Sequence, residues 1–236
     1  MKMSGYRVLS FDCYGTLVDW EAGIIEAFRA LVAPHDIILS DLAILNAFLD
    51  IETNVVKNAP SKTYQEVLFE VYREFAQQHG IHFDESGAVR FASSIGHWPL
   101  FPDTQRSLDF LSQHHKLVIL SNIDDASIER TRSQIKVRFL DVYTAQQIGS
   151  YKPDPRNFRY LLGRLAEYGY AKEQLLHVSV SLFHDLIPAQ ALGIDTCWIN
   201  RGNSINGTLA TPPGFQAGIE PTYTYRSLQE LLDNYE

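Results

Sequence analysis

Four short polar clusters stand out in this chain, each just after an apolar run. Asp12 follows Val8-Leu-Ser-Phe11 and precedes Gly15-Thr16. Ser121-Asn122 follow Leu117-Val-Ile-Leu120, and Lys152 lies in Gly149-Ser-Tyr-Lys-Pro153, beyond Val142-Tyr-Thr144. Asp185 follows the run around Val178. A carboxylate, a hydroxyl with an amide, a lysine and a second carboxylate, gathered in one crevice, compose a site around a nucleophilic carboxylate. Each residue also has a plainer reading. An Asp after a strand often only ends a turn or caps a helix, Ser-Asn is a common loop pair, and a lysine before proline can be a solvated surface group. The chemical reading gains from their joint occurrence, in order, at the same end of successive strands.

They share one end only if those runs are parallel strands. Tyr6 to Phe11, Leu117 to Ser121, Leu175 to Ser179 and Thr196 to Asn200 read as buried strands. Helical patterns over Asp103 to His114, Pro155 to Tyr168 and Asp185 to Leu192 alternate with them. That rhythm predicts an α/β fold with a parallel sheet and helices on both faces, whose ligands bind beyond the carboxyl ends of the strands. Gly193 would close one helix in the left-handed conformation. Ser227-Leu-Gln-Glu230 resembles a capping box opening a final short helix. From Asp19 to Ser94 the pattern changes. Trp20 to Leu31, Ser40 to Val56, Thr63 to His79 and Asp84 to Ile95 carry apolar residues at helical spacing without a strand between them. Two prolines in Gly96-His-Trp-Pro-Leu-Phe-Pro-Asp103 end it. The expected organisation is an α/β core of residues 1–16 and 101–236, with a helical subdomain, 17–100, inserted after the first strand.

Composition narrows the function. With 20 Lys and Arg against 28 Asp and Glu, the net charge of −8 disfavours binding to nucleic acid or anionic lipid. A 45% hydrophobic, 20% charged chain of 236 residues can bury a large core and is not a disordered one. Cys13 and Cys197 are too far apart for a zinc finger or a disulfide scaffold and suit a reducing compartment. The first apolar run is too short for a signal peptide or a membrane span. A cytoplasmic enzyme acting on a small molecule is expected, without nucleic-acid or membrane partners. Exposed aromatics on the helical insert would be compatible with a homodimer. Neither a dinucleotide fingerprint nor a Walker motif occurs. Arg201 to Gly207 reads as a surface loop, and Cys13, pointing away from its neighbour Asp12, as packing.

Phe11-Asp-Cys-Tyr-Gly-Thr-Leu17, Leu120-Ser-Asn122, Tyr151-Lys-Pro-Asp154 and the segment ending Phe183-His-Asp185 resemble the four motifs of the haloacid dehalogenase (HAD) superfamily. The resemblance covers nearly the whole chain. It implies a Rossmann-like core and makes the helical insert that superfamily's cap. Asp12-x-Tyr-Gly-Thr-Leu17 and Cys197-Trp-Ile-Asn-Arg201 look most like the L-2-haloacid dehalogenase branch.

The chemistry agrees with that branch. Phosphatases of the superfamily carry an acid two residues after the nucleophile to protonate the leaving alkoxide; here the position is Tyr14. They also bind Mg²⁺ through acidic groups of the fourth motif; here Val180 stands five residues before Asp185. A halide leaves without a proton, so the resemblance implies a dehalogenase without cofactor, Mg²⁺ being disfavoured. A phosphatase or other small-ester hydrolase using Asp12 is the alternative. The implied roles are nucleophile for Asp12 and ion-pair partner for Lys152. Thr16 and Ser121 would bind the nucleophile or the substrate carboxylate. Asn122 would donate to the departing halide. Asp185 would orient Lys152 or handle water, with Ser179 and Ser181 as its supports. Tyr14, Ser181 and His184 are expected beside the substrate, and Trp98 as a wall of the cleft. Among the cap aromatics Trp20, Phe48, Tyr64, Phe69, Tyr72 and Trp98, about one in three would face the substrate. Two departures stand out: no arginine lies between Leu31 and Val71, where the branch receives its halide, and Phe158 replaces a tyrosine six residues after the lysine.

Overall fold

The structure is a computed structural model describing residues 2–59, 61–201 and 218–236. Most of the expected surface loop at Arg201 to Gly207 lies outside the described residues. Six strands form one sheet: β1 (Val8–Phe11), β2 (Lys116–Ser121), β3 (Asp141–Thr144), β4 (Leu175–Ser179), β5 (Asp195–Ile199) and β6 (Tyr223–Tyr225). Their spatial order is β3-β2-β1-β4-β5-β6, and every pairing is parallel. β1 and β4 are buried throughout, which explains their near-continuous apolar sequence. The chain order reverses at β1, with β2 on one side and β4 on the other, so the carboxyl ends there diverge into a crevice.

Flanking helices are α1 (Trp20–Val32), α2 (Asp41–Asn58), α3 (Tyr64–Gln78), α4 (Glu85–Ser93) and α5 (Thr104–His114), then α6 (Asp125–Ser133), α7 (Ala145–Ile148), α8 (Arg156–Glu167), α9 (Ile187–Ala191) and α10 (Leu228–Asp233). The chain divides into two compact units. One is α/β and comprises Met1–Val18, Leu100–Asn122 and Ile135–Glu236; the other is helical and comprises Asp19–Pro99 and Ile123–Gln134. Segment 123–134, placed in the core by the sequence, therefore groups with the helices. The turn after α4 lies on α6, and Gly96 permits the close approach, since a Cβ there would come within 2.7 Å of Arg130.

In the α/β unit, the two-residue period of a strand puts Val8, Ser10 and Asp12 on one face. Register sets Val8 beside Leu175 and Ser10 beside His177. The lower part of this face is apolar: Val8, Val118, Leu120 and Leu175 pack with Phe158, Leu161 and Leu165 of α8 and with Ala189 of α9. Nearer the carboxyl ends the same face turns polar.

In the helical unit, α1 to α4 start on side-chain caps at Asp19, Ser40, Thr63 and Asp84, each accepting from a free amide of the first turn. Phe28 sits among the rings of Phe48, Phe75 and Phe91, at centroid distances of 6.4, 4.4 and 5.0 Å. The insert leaves and rejoins the α/β unit at one place, where Val18 and Leu100 form an antiparallel bridge and the Phe101 amide donates to Leu17 O.

Three elements were not expected from sequence: α6, α7 and β6. The helix expected from Asp185 begins earlier, as a π-turn over Leu182–Leu186 capped by Ser181, and continues as α9. Gly193 closes α9 at φ 71°, as its position predicted.

Candidate active site

Asp12 stands one residue beyond β1, its amide still bonded to Val178 O of β4 at 3.1 Å. The chain then turns sharply through Gly15, whose φ of 99° an L side chain would strain. The turn brings Thr16 back beneath Asp12, and Thr16 Oγ1 donates to Asp12 Oδ2 at 2.9 Å. The hydrogen's direction follows from the other bond of that hydroxyl, which accepts from the Val180 amide at 3.1 Å. Arg201 braces the turn, donating to Thr16 O at 2.8 Å while paired with Asp103 at 3.0 Å and lying over the Phe101 ring.

Lys152 reaches the other oxygen of Asp12. Its Nζ donates to Asp12 Oδ1 at 2.9 Å, to Asp185 Oδ1 at 2.6 Å and to Leu120 O at 3.0 Å. The three donor positions of an ammonium are thus filled. Lys152 and Asp185 are essentially inaccessible, and Asp12 keeps 7% exposure. Asn122 holds the lysine's main chain from both sides, accepting from Lys152 N at 2.6 Å and donating to Lys152 O at 3.0 Å. Its oxygen and one of its two N–H bonds are therefore committed. Asn122 is thus a clamp on the lysine loop that keeps a second N–H.

The cluster carries two carboxylates and one ammonium. Burial raises the Asp12 pKa, Lys152 and Thr16 oppose this, and the neighbouring Asp185 charge adds to the rise. Asp185 goes the other way: burial alone would raise it, but Lys152 and the His177 hydrogen bond hold it below the usual carboxylate range. Lys152 resists the lowering that burial imposes because two carboxylates face it, so its pKa is raised. The cluster thus contains two carboxylates bonded to one ammonium, with the pKa of Asp185 lowered and that of Asp12 raised.

The remaining expected residues distribute as follows. Ser121 is buried at the end of β2, and Tyr14 is half-buried in the turn after Asp12. Ser179 Oγ accepts from the Ser181 amide at 3.0 Å, and Ser181 Oγ in turn caps the His184 amide at 3.0 Å. His184 leans its Nδ1 on Ser181 at 3.3 Å, and burial lowers its pKa to about 4, so it stays neutral near pH 7. Trp98 belongs to the helical unit. It is 4% exposed, donates to Ser94 Oγ and lies on Gly23. Phe48 and Tyr72 are likewise core residues of that unit. The arginines flanking the expected halide position, Arg29 and Arg73, pair with Asp41 and Glu70.

Sequence reasoning missed two residues. His177 of β4 donates from or accepts at Nε2 against Asp185 Oδ1 at 2.9 Å, and its Nδ1 meets Ser10 Oγ at 2.8 Å. The available signal was a histidine and a serine inside otherwise apolar strands.

The donors present do not fit Mg²⁺. Both Oδ1 atoms of the carboxylate pair are turned onto the Lys152 ammonium, and Val180 supplies no third acid. Among the described residues no group of three or more His, Cys, Asp or Glu could hold a metal.

Comparison with known proteins bears on the same residues. YfnB of Bacillus subtilis, provisionally named a HAD-hydrolase, is 27% identical over 252 residues covering 97% of this chain and 95% of its own. Haloacetate dehalogenase H-2 of Moraxella sp. is 26% identical over 92% of this chain and 96% of its own. Among solved structures, L-2-haloacid dehalogenase from Xanthobacter autotrophicus superposes with a TM-score of 0.78 at 18% identity, covering 96% of both chains. At that identity the likeness speaks to fold. A model of the haloacid dehalogenase-like hydrolases matches residues 6–193, a span that contains Asp12, Thr16, Ser121, Asn122, Lys152 and Asp185, and the chain belongs to that family of hydrolases.

Proposed function

We propose that the protein is a hydrolytic dehalogenase that converts a small 2-haloacid to the 2-hydroxy acid through an ester on Asp12. The observation that carries this is the pairing of Asp12 Oδ1 with Lys152 at 2.9 Å in a site where Tyr14, not an acid, stands two residues on. Such a site suits a leaving group that departs without a proton.

In the first step an Asp12 oxygen attacks C2 in line, and the halide leaves with the electron pair of the broken carbon–halogen bond. In the second, water attacks Cγ of the ester. One water proton ends on the departing hydroxyl of the product; the other reaches solvent as Asp12 returns to the carboxylate. Each oxygen of Asp12 has its own donor, Lys152 at Oδ1 and Thr16 at Oδ2. Whichever oxygen remains a carbonyl therefore has a hydrogen bond when it takes on negative charge. Asp185 keeps the ammonium directed; its lowered pKa makes it a poor base and a good anchor. The resemblance gives the helical unit the role of a substrate-selecting cap. With no arginine in the expected stretch, the halide is received by other groups than in the branch it resembles.

The test is halide release from both enantiomers of 2-chloro- or 2-bromopropionate. Turnover in ¹⁸O water should place label in Asp12, and Asp12→Asn should lower the rate at least a thousandfold. Absence of halide release, with magnesium-dependent phosphate release from small esters instead, would select the phosphatase alternative.

A further inference from the structure

We propose that His177 is a positioning residue of this site, acting through Asp185 on the Lys152 ammonium; the assignment rests on the reading of Asp12 as nucleophile. Behind the reacting carboxylate the contacts run without interruption from Ser10 to His177, to Asp185, to Lys152 and to Asp12, at 2.8, 2.9, 2.6 and 2.9 Å. Ser10, His177 and Asp185 are all within 1% of complete burial, so water does not complete their hydrogen bonds. A buried imidazole placed among strands demands partners for both nitrogens.

One proton arrangement satisfies every group. Asp185 is ionised and only accepts, so His177 Nε2 must carry the hydrogen it offers. His177 Nδ1 then accepts from the Ser10 hydroxyl. Parallel pairing of Ser10 with His177 fixes the first contact, and the T-shaped approach of Phe158 at 5.0 Å fixes the ring plane for the second. Asp185 Oδ1 is thereby held between two donors. It cannot swing from Lys152 without abandoning the imidazole, and Lys152 keeps its third hydrogen bond for Asp12. The strand supplies a rigid mount for an orientation that a carboxylate within the π-turn would not hold alone.

Two measurements test this. In protein carrying ¹⁵N-histidine and no substrate, the His177 resonances, identified by their loss in His177→Gln, should report a hydrogen on Nε2. A neutral ring protonated at Nδ1 would overturn the proposal. In turnover, His177→Phe should lower kcat about ten- to a hundredfold with KM within about threefold, as for residues that orient a reacting group from behind. His177→Gln, which keeps an N–H near the Nε2 position, should recover most of that loss. Equal loss in both variants, or wild-type kcat in both, would overturn it. If His177→Phe fails to fold, the glutamine variant and the resonance measurement still decide. If the wild type releases no halide, the dehalogenase reading falls, and the resonances alone judge His177.

Discussion

In the proposed mechanism Asp12 must be ionised to attack, yet burial raises its pKa, and that tension sets the pH dependence. Burial and the Asp185 charge raise its pKa, while Lys152 and Thr16 hold it back. The active form is the base, so kcat/KM should fall as pH drops through this raised pKa. The acid limb should lie above the ordinary aspartate value, and Thr16→Val, which removes a bond to the carboxylate, should move it higher. An acid limb at or below the ordinary aspartate value would contradict the electrostatics. His184 is held neutral near pH 7 by burial, so His184→Gln should leave the profile's shape unchanged between pH 6 and 8. Lys152→Met should abolish measurable turnover and destabilise the protein by roughly 3–5 kcal/mol, because two buried carboxylates lose their cation. Chemical denaturation measures the second effect.

The elements were legible to different degrees. β1, β2, β4 and β5 announce themselves as short apolar runs, and α1 to α4 as long amphipathic ones with cap residues in place. α6 was hidden because its sequence, Asp-Ala-Ser-Ile-Glu-Arg-Thr-Arg-Ser, offers one large apolar residue, Ile128, and no helical period. β6 is a three-residue edge strand, too short to alternate. The main site residues were readable since each follows a strand. His177 was not, because its meaning depends on β4 lying next to β1, which no local pattern states. Asn122 was found, but its clamp on main chain thirty residues away was not legible. Packing in the helical unit yields a sharper prediction. A Cβ on Gly23 would fall 2.2 Å from Trp98 Cγ, deep in contact with an indole that is itself buried. Gly23→Ala should cost about 1–3 kcal/mol by overpacking, read as a lower urea midpoint. Trp98 fluorescence should shift with it.

Across the whole molecule, a Rossmann-like sheet carries the candidate site residues and a helical unit forms a second compact body. No described helix is long and apolar enough to cross a membrane. The ammonium of Lys152 already neutralises one charge between the carboxylates where a divalent ion would otherwise be needed. Turnover should therefore survive prolonged EDTA treatment, with rates unchanged when Mg²⁺ is restored; loss and recovery would show that the donors bind metal after all.

The bridge between Val18 and Leu100 has a consequence for how such a protein can change over time. Some eighty residues hang from two neighbouring points of a scaffold whose strands they never enter. Lengthening, shortening or exchanging that appendage leaves every rung of the sheet intact, provided the replacement also covers Ile128 of α6. One segment can thus be exchanged wholesale while the aspartate, lysine and histidine stay where they are.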